Sequence, residues 1–350
     1  MSVTCRLLDD ASAPAWDAFV RARPEASFFH LSAWRRVIAR AFGHATFYIM
    51  AERDGRLVGV LPLAQVKTPL FGNSLISVPF CVYGGPVAED EAAASALQRQ
   101  AATLQDRLGV PVMEFRQRGP NLWLDLAAWT SRADLYVTFR KPIAADDDAN
   151  LKAIPRKQRA MVRKGIERGL TSVVGTDRAS IDRLHAIYAE SVRNLGTPVF
   201  PRKYFYLLAE EFGPACDVVT ILDAGEPIAA VMNFYFRDEV LPYYGGGRAI
   251  ARDVAGNDFM YWNLMQAASA RGARLFDFGR SKLGTGAFAF KKNWGFAPEP
   301  LHHYFRLAAG AAVPELNPLN PKYRLFIAAW KRLPLPLANL LGPPIVRGLG

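Results

Sequence analysis

Residues 276–296 read FDFGRSKLGTGAFAFKKNWGF. The strand-like hydrophobic segment Leu275–Phe278 empties into Gly279, Arg280, Ser281 and Lys282. A Gly284-Thr285-Gly286 turn follows, then Phe288, Phe290, Lys291, Lys292 and Trp294. Aromatics alternating with small residues suit a pleated, half-buried surface, and cations gathered where a strand ends suit an anionic ligand. The same residues also describe a basic surface hairpin beside a hydrophobic strand, and spacing alone leaves both readings open.

Working outward, the elements around this stretch occur twice. In the first half, Pro14–Phe42 reads as two amphipathic helices broken at Arg23-Pro24. Strand-like runs at 47–51 and 57–64 are joined by Asp54-Gly55, a strong hairpin signal. A strand-like region then ends at Val82-Tyr83-Gly84-Gly85-Pro86. An Ala-rich helix, Glu89–Leu108, closes on Gly109, and Val112–Arg116 is a strand. In the second half, Val218–Leu222 and Ile228–Phe236 flank a Gly225 turn, and Leu241–Gly247 reads LPYYGGG. Asp258–Arg271 is a helix closing on Gly272 before the strand Leu275–Phe278. Glu114-Phe115 and Asp277-Phe278 hold equivalent places about 160 residues apart, which indicates a duplicated α+β domain.

The chain has 350 residues, 51% hydrophobic and 21% charged, enough for two globular cores. Its net charge of +11 favours anionic partners without saying which. Cys5, Cys81 and Cys216 are odd in number and far apart, so neither a disulfide framework nor a zinc site is indicated. The first residues carry Asp9 and Asp10 where a signal peptide would have an apolar core, and no apolar run reaches spanning length; a cytoplasmic location is the expectation.

Between the copies, Leu151–Leu170 carries Lys152, Arg156, Lys157, Arg159, Arg163, Lys164 and Arg168 against Glu167 alone. Like charges crowded on a helix repel, so an adjacent anion relieves a cost of tenths of a kcal/mol per pair; the alternative is a solvated linker helix. Asp182–Leu195 is helical, and Pro201–Phe212, with Lys203 and Tyr204, begins another helix at proline. From Asn317-Pro318-Leu319-Asn320-Pro321 the composition changes to a basic amphipathic piece, Lys322–Arg332 with Phe326 and Trp330, then an apolar Pro/Gly-rich end. That tail suits a membrane surface or its own domain equally. The expected organisation is a first domain 1–150, a basic connecting helix 151–170, a second domain 171–313 carrying the site, and a tail 314–350.

Several chemistries are missing from the pattern. His30, His44, His185, His302 and His303 form no H-x-x-x-H pair, so no catalytic metal is expected, and there is no nucleophile elbow, Walker loop or dinucleotide fingerprint. Positioning and electrostatics by Lys, Arg, Tyr, Asp and backbone donors remain.

A strand ending Tyr-Gly-Gly, then Gly256-Asn257-Asp258 opening a helix with Tyr261-Trp262, then RGARLFDFGR and GTGAFAFKKNWGF resemble the FemAB-like branch of the GNAT N-acyltransferases. With the NLGTPVFP segment at 194–201, the chain looks similar to the FemAB-like proteins associated with the exosortase/PEP-CTERM exopolysaccharide system. The resemblance implies two tandem GNAT domains and transfer of an acyl or aminoacyl group onto an amine of a peptidoglycan- or exopolysaccharide-related precursor, in the cytoplasm or at the inner membrane face. It places Lys291 where the family's Phe-Lys lysine stabilises developing negative charge, with Lys292 sharing or competing for that role. Asp277 is a candidate base or a partner of Arg280, and of Tyr243 and Tyr244, which alternate faces, Tyr244 is favoured for the site. Arg280, Ser281, Lys282, Phe290 and the Asn257 helix start are candidate substrate contacts, joined by Trp262, Arg193, Lys203 and Tyr204. Arg248–Asn257, RAIARDVAGN, has one glycine where a CoA pyrophosphate loop reads Q/R-x-x-G-x-G/A. Aminoacyl-tRNA or an acyl carrier is therefore expected as donor ahead of CoA, with no bound cofactor, although the long coiled-coil arm of some Fem proteins is also missing. The alternative is a non-catalytic module that binds RNA, polysaccharide or anionic membrane through its cations.

Overall fold

The computed structural model describes residues 2–124, 127–314 and 321–350. The chain divides into two compact units, Met1–Leu135 with Pro300–Leu316 and Arg347–Gly350, and Tyr136–Glu299 with Asn317–Val346.

In the first unit, β1 (Thr4–Leu7), α1 (Ala13–Ala22), α2 (Ala33–Phe42), β2 (Ala45–Arg53), β3 (Arg56–Thr68), β4 (Gly72–Ile76), β5 (Val87–Ala88), α3 (Glu91–Leu108), β6 (Val112–Gln117) and β7 (Thr130–Arg132) follow in order. Asp54 and Gly55 both take positive φ, as the tight turn between twisted antiparallel strands requires. The Asp90 carboxylate accepts the Ala93 N–H to start α3, and Gly109 ends it in the left-handed region.

In the second unit come β8 (Tyr136–Pro142), α4 (Asp147–Ala153), α5 (Arg156–Glu167), β9 (Thr171–Gly175), α6 (Arg178–Leu195), α7 (Arg202–Phe212), β10 (Cys216–Asp223), β11 (Glu226–Phe236), β12 (Glu239–Gly247), α8 (Ala249–Asp253), α9 (Gly256–Ala270), β13 (Leu275–Asp277), β14 (Ser281–Lys282) and α10 (Gly286–Asn293). Ala224 and Gly225 repeat the double positive φ of the first hairpin. β15 (Pro298–Pro300) leads into β16 (His302–Leu307), which pairs with β6; α11 (Pro321–Trp330) and α12 (Leu335–Val346) form the tail.

The main paths of the two sheets run β1-β2-β3-β4-β6-β16-β7 and β9-β10-β11-β12-β13-β8-β14. They correspond place by place. In each, an antiparallel run meets one parallel pair, β4 with β6 and β12 with β13, followed by an antiparallel strand, β16 or β8. The expected α+β duplication is therefore present, as two mixed, mainly antiparallel sheets flanked by helices.

Four expectations change. The division expected at 150/151 falls at 135/136, because β8 completes the second sheet while β16, from beyond the second unit, completes the first. The basic segment 151–170 is two helices separated at Pro155, not a single connector: Ile154 is extended, as a residue before proline prefers. The tyrosine-glycine stretches also differ, since β4 ends at Ile76 whereas β12 runs through Gly247. Residues 77–86 are irregular, with Val78 and Phe80 at positive φ. Finally, the alternating aromatics 286–293 form helix α10, started by the Thr285 hydroxyl accepting the Phe288 N–H. Of the tail, 317–320 lie outside the described residues; Trp330, Ala338, Gly342 and Val346 are buried, so one side of it packs on the unit.

Helix α5 belongs to the second core. Val162 and Gln158 are buried, and a Cβ at Gly165 would come within 2.8 Å of Phe259 Cβ on α9. Gly165→Ala is expected to lower stability by up to about 2 kcal/mol, because overpacking costs about 1–3 kcal/mol against a helix-propensity gain of about 1 kcal/mol. Thermal unfolding of the variant checks this; a raised midpoint would show that the contact yields.

Candidate active site

The second sheet changes character beside β12. Its pairing with β13 covers two steps only, Glu239 with Leu275 and Val240 with Phe276, while β12 continues to Gly247. β13 instead crosses to β8, with Asp277 opposite Arg140 and the Phe278 N–H donating to the Phe139 carbonyl. Ser281 and Lys282 then pair with Val137 and Tyr136. The quoted stretch is thus laid against β8, an element that the sequence reading had assigned to the other domain.

Lys291 projects from α10 back to this turn. Its Nζ donates to the carbonyls of Gly279 and Arg280, each at 3.0 Å, and lies 5.8 Å from the centre of the Phe139 ring. Burial of the ammonium lowers its pKa to about 7; Asp277 pulls the other way and Arg280 adds to the lowering. A lysine that exchanges its proton near neutral pH is suited to charge and proton work in a transition state.

Asp277 is fully buried. It accepts the Gly279 N–H at 2.7 Å and the Thr138 hydroxyl at 3.4 Å, and pairs with Arg140 Nε at 3.3 Å. Arg140 also donates to Glu239 at 2.5 Å. The partner of Asp277 on the adjacent strand is Arg140, whereas the sequence reading offered Arg280. Gly279 thus gives its N–H to the Asp277 carboxylate and its carbonyl to Lys291.

Arg280 and Lys282 both lie over the Tyr136 ring, at 4.6 and 5.4 Å from its centre. Neither makes an ion pair among the described residues. Ser281 is buried, and its hydroxyl has no hydrogen-bond partner in the described structure. Lys292 is exposed on α10. Arg280 and Lys282 thus put positive charge over one ring, next in sequence to the carbonyls that hold Lys291, which suits phosphate or carboxylate.

Other candidates have different surroundings. Phe290 packs on Tyr261, Phe278 and Trp294, and Trp262 lies in the core. Tyr244 is buried, its hydroxyl 2.8 Å from that of Tyr204, within a ring cluster with Tyr188, Phe200 and Phe205. Tyr243 is part-buried on the same strand. Lys203 is exposed on α7, and Arg193 donates to the Lys331 carbonyl in the tail.

At the α9 start, a Cβ on Gly247 would lie 2.5 Å from Asn257 Oδ1, and one on Gly246 2.5 Å from Ser191 Cβ. The glycines at the end of β12 therefore admit neighbouring helices, an assignment in which a phosphate is not needed. The Asp258 carboxylate accepts from Gln158 and from Trp294 Nε1, and burial raises its pKa. It ties α5, α9 and α10 together and puts a carboxyl group at the helix start that was expected to receive an anion.

Tyr136, Thr138 and Arg140 were missed by sequence reading because strand register decides their partners. A depression lined by Thr176, Arg178, Tyr206 and Glu210 shares no residue with the Lys291 cluster.

Comparisons with known proteins bear on the fold. Residues 156–292 match the family described as Acetyltransferase (GNAT) domain. The fold is similar to the crystal structure of FemX, with 16% identity, a TM-score of 0.67, and coverage of 93% of this chain and 100% of that one. The C-terminal domain of a putative lysylphosphatidylglycerol synthetase from Agrobacterium fabrum is similar at 16% identity and a TM-score of 0.55, over 85% and 92% of the two chains. A tandem GNAT protein from the clavulanic acid biosynthesis pathway is similar at 14% identity and 0.52, over 89% and 100%. No curated protein matches the sequence. The architecture is a tandem GNAT fold, and the match to the Acetyltransferase (GNAT) domain family lies in its second unit.

Proposed function

We propose that this tandem GNAT protein is a FemAB-like N-acyltransferase, moving an activated acyl or aminoacyl group onto an amine of a peptidoglycan- or exopolysaccharide-related precursor. The observation that carries the reading is Lys291, its ammonium gathered by two carbonyls next to Arg280, Ser281 and Lys282, where the pairing of β12 and β13 stops.

The chemistry follows from what an acyl transfer needs. A neutral amine adds to the acyl carbonyl, forming a C–N bond and leaving negative charge on the carbonyl oxygen. Expulsion of the oxygen or sulfur leaving group breaks its bond to the acyl carbon and restores the carbonyl; the leaving atom takes a proton from the Lys291 ammonium, and the added nitrogen gives one back to the neutral lysine. An ammonium placed by its surroundings stabilises the developing oxyanion without reorganising. With a pKa of about 7, Lys291 also has a proton to give to the leaving atom. Arg280, Lys282 and Lys292 would hold the anionic part of donor or acceptor. No metal or bound cofactor is assigned a step.

Exposed Lys152, Arg156, Lys157, Arg163 and Lys164 make no ion pair among the described residues. They support a polyanionic donor such as aminoacyl-tRNA or acyl carrier protein ahead of CoA; they also favour the second reading, a polyanion-binding module. Mass spectrometry of envelope-precursor amines incubated with each donor decides. A mass increment from one donor supports transfer. No increment from any of the three, together with RNA or polysaccharide binding that falls steeply with salt, would favour the module.

A further inference from the structure

Helices α11 and α12 have apolar residues on both sides. A surface helix ordinarily buries its apolar stripe and shows water its polar one. In α12, Ala338, Gly342 and Val346, four residues apart, face inward; a Cβ on Gly342 would stand 2.8 Å from the Val199 backbone nitrogen. The opposite side is no more polar. Leu337, Leu340 and Leu341, at i, i+3 and i+4, are 46%, 70% and 44% exposed. α11 does the same, with Trp330 buried and Leu325 and Phe326 at 83% and 42% exposure. Scattered exposed leucines need no explanation, but five large apolar side chains turned outward on two consecutive helices do.

Charge narrows what covers them. Residues 321–350 contain Lys322, Arg324, Lys331, Arg332 and Arg347 and no aspartate or glutamate. Arg324 precedes the exposed Leu325-Phe326 pair, and exposed Lys331 and Arg332 lie in the turn between the helices. We propose that α11–α12 is a membrane-surface anchor whose outward leucines and Phe326 enter the headgroup boundary of an anionic leaflet while Arg324, Lys331 and Arg332 meet its phosphates. Apolar insertion with adjacent cations is the composition of a segment lying in the interface. Spanning is excluded for these helices: the 12 residues of α12 reach about 18 Å, against a hydrocarbon thickness of about 30 Å. The anchor rests on the tail alone and goes beyond the acyl-transfer reading.

The test is flotation of the full chain with vesicles of phosphatidylcholine, and of phosphatidylcholine mixed with phosphatidylglycerol. Wild type should float with the anionic vesicles and be released by salt. Leu337→Ser/Leu340→Ser/Leu341→Ser should lose about tenfold or more in partitioning, and Lys331→Ala/Arg332→Ala about fivefold per cation. Leu325→Ser/Phe326→Ser on the other helix gives an independent loss if the triple variant fails to fold. Absence of wild-type binding, equal binding to both vesicle types, or leucine variants that bind as wild type would overturn the anchor. So would a concentration-dependent dimer abolished by the same substitutions without vesicle binding, since the patch would then meet a second copy.

Discussion

Replacing Lys291 with alanine should lower kcat for acyl transfer by about 10²–10³ while leaving KM nearly unchanged, the loss expected when one preorganised donor to an oxyanion is removed. The split follows from the surroundings. Lys291 is turned inward to the Gly279 and Arg280 carbonyls, while Arg280, Lys282 and Lys292 remain to bind the anionic substrate. Substituting those outer cations should raise KM with less effect on kcat. Steady-state kinetics of Lys291→Ala and Lys282→Ala checks the contrast; equal KM defects and an unchanged kcat in both would make Lys291 another binding cation. The lowered pKa also has a sign for stability. The folded pKa is about 7 and the ordinary value 10.5, so between them the unfolded chain holds more protons, and the cost of burying this ammonium, full below about 7, is relieved as pH rises towards 10.5.

Arg140→Ala should cost about 3–5 kcal/mol in stability, because it leaves the fully buried Asp277 carboxylate without its cation. The Glu239 carboxylate, also bonded to Arg140 and largely buried, loses a partner in the same step. Removing the arginine and both carboxylates together, as Arg140→Met/Asp277→Leu/Glu239→Gln, should cost less than Arg140→Ala, since neither carboxylate is left inside without the arginine. Denaturant unfolding measures both. A loss within about 0.5 kcal/mol for Arg140→Ala, the range of ordinary surface changes, would show that water already reaches the carboxylate.

Local signals made much of the fold legible. Asp54-Gly55, Gly109, Gly196 and the proline before α7 each act within a few residues, so turns and helix ends were readable where they occur. The duplication was visible because the two copies keep the same order of hairpin, helix and strand. Long-range pairing was not visible. Nothing in Tyr136–Pro142 says that it joins β13 and β14, yet that register gives Asp277 its arginine and sets Tyr136 beneath Arg280 and Lys282. The alternation of Phe288 and Phe290 with alanines suggested a strand, but the Thr285 cap and the four-residue spacing of Phe290 and Trp294 supported a helix, with Lys291 and Lys292 placed in its last turn. Strand alternation lets only one of Tyr243 and Tyr244 face the site, and Tyr244 was favoured; it packs against rings of α6 and α7, with its hydroxyl bonded to that of Tyr204.

The pH dependence of kcat/KM for wild type and Lys291→Arg tests the central claim most directly, because it reads the free enzyme's titrating groups. The account predicts a wild-type rate that falls as pH rises through about 7, and a variant whose fall is carried to far higher pH because guanidinium keeps its proton. A descending limb near 7 that stays in place in Lys291→Arg would contradict it.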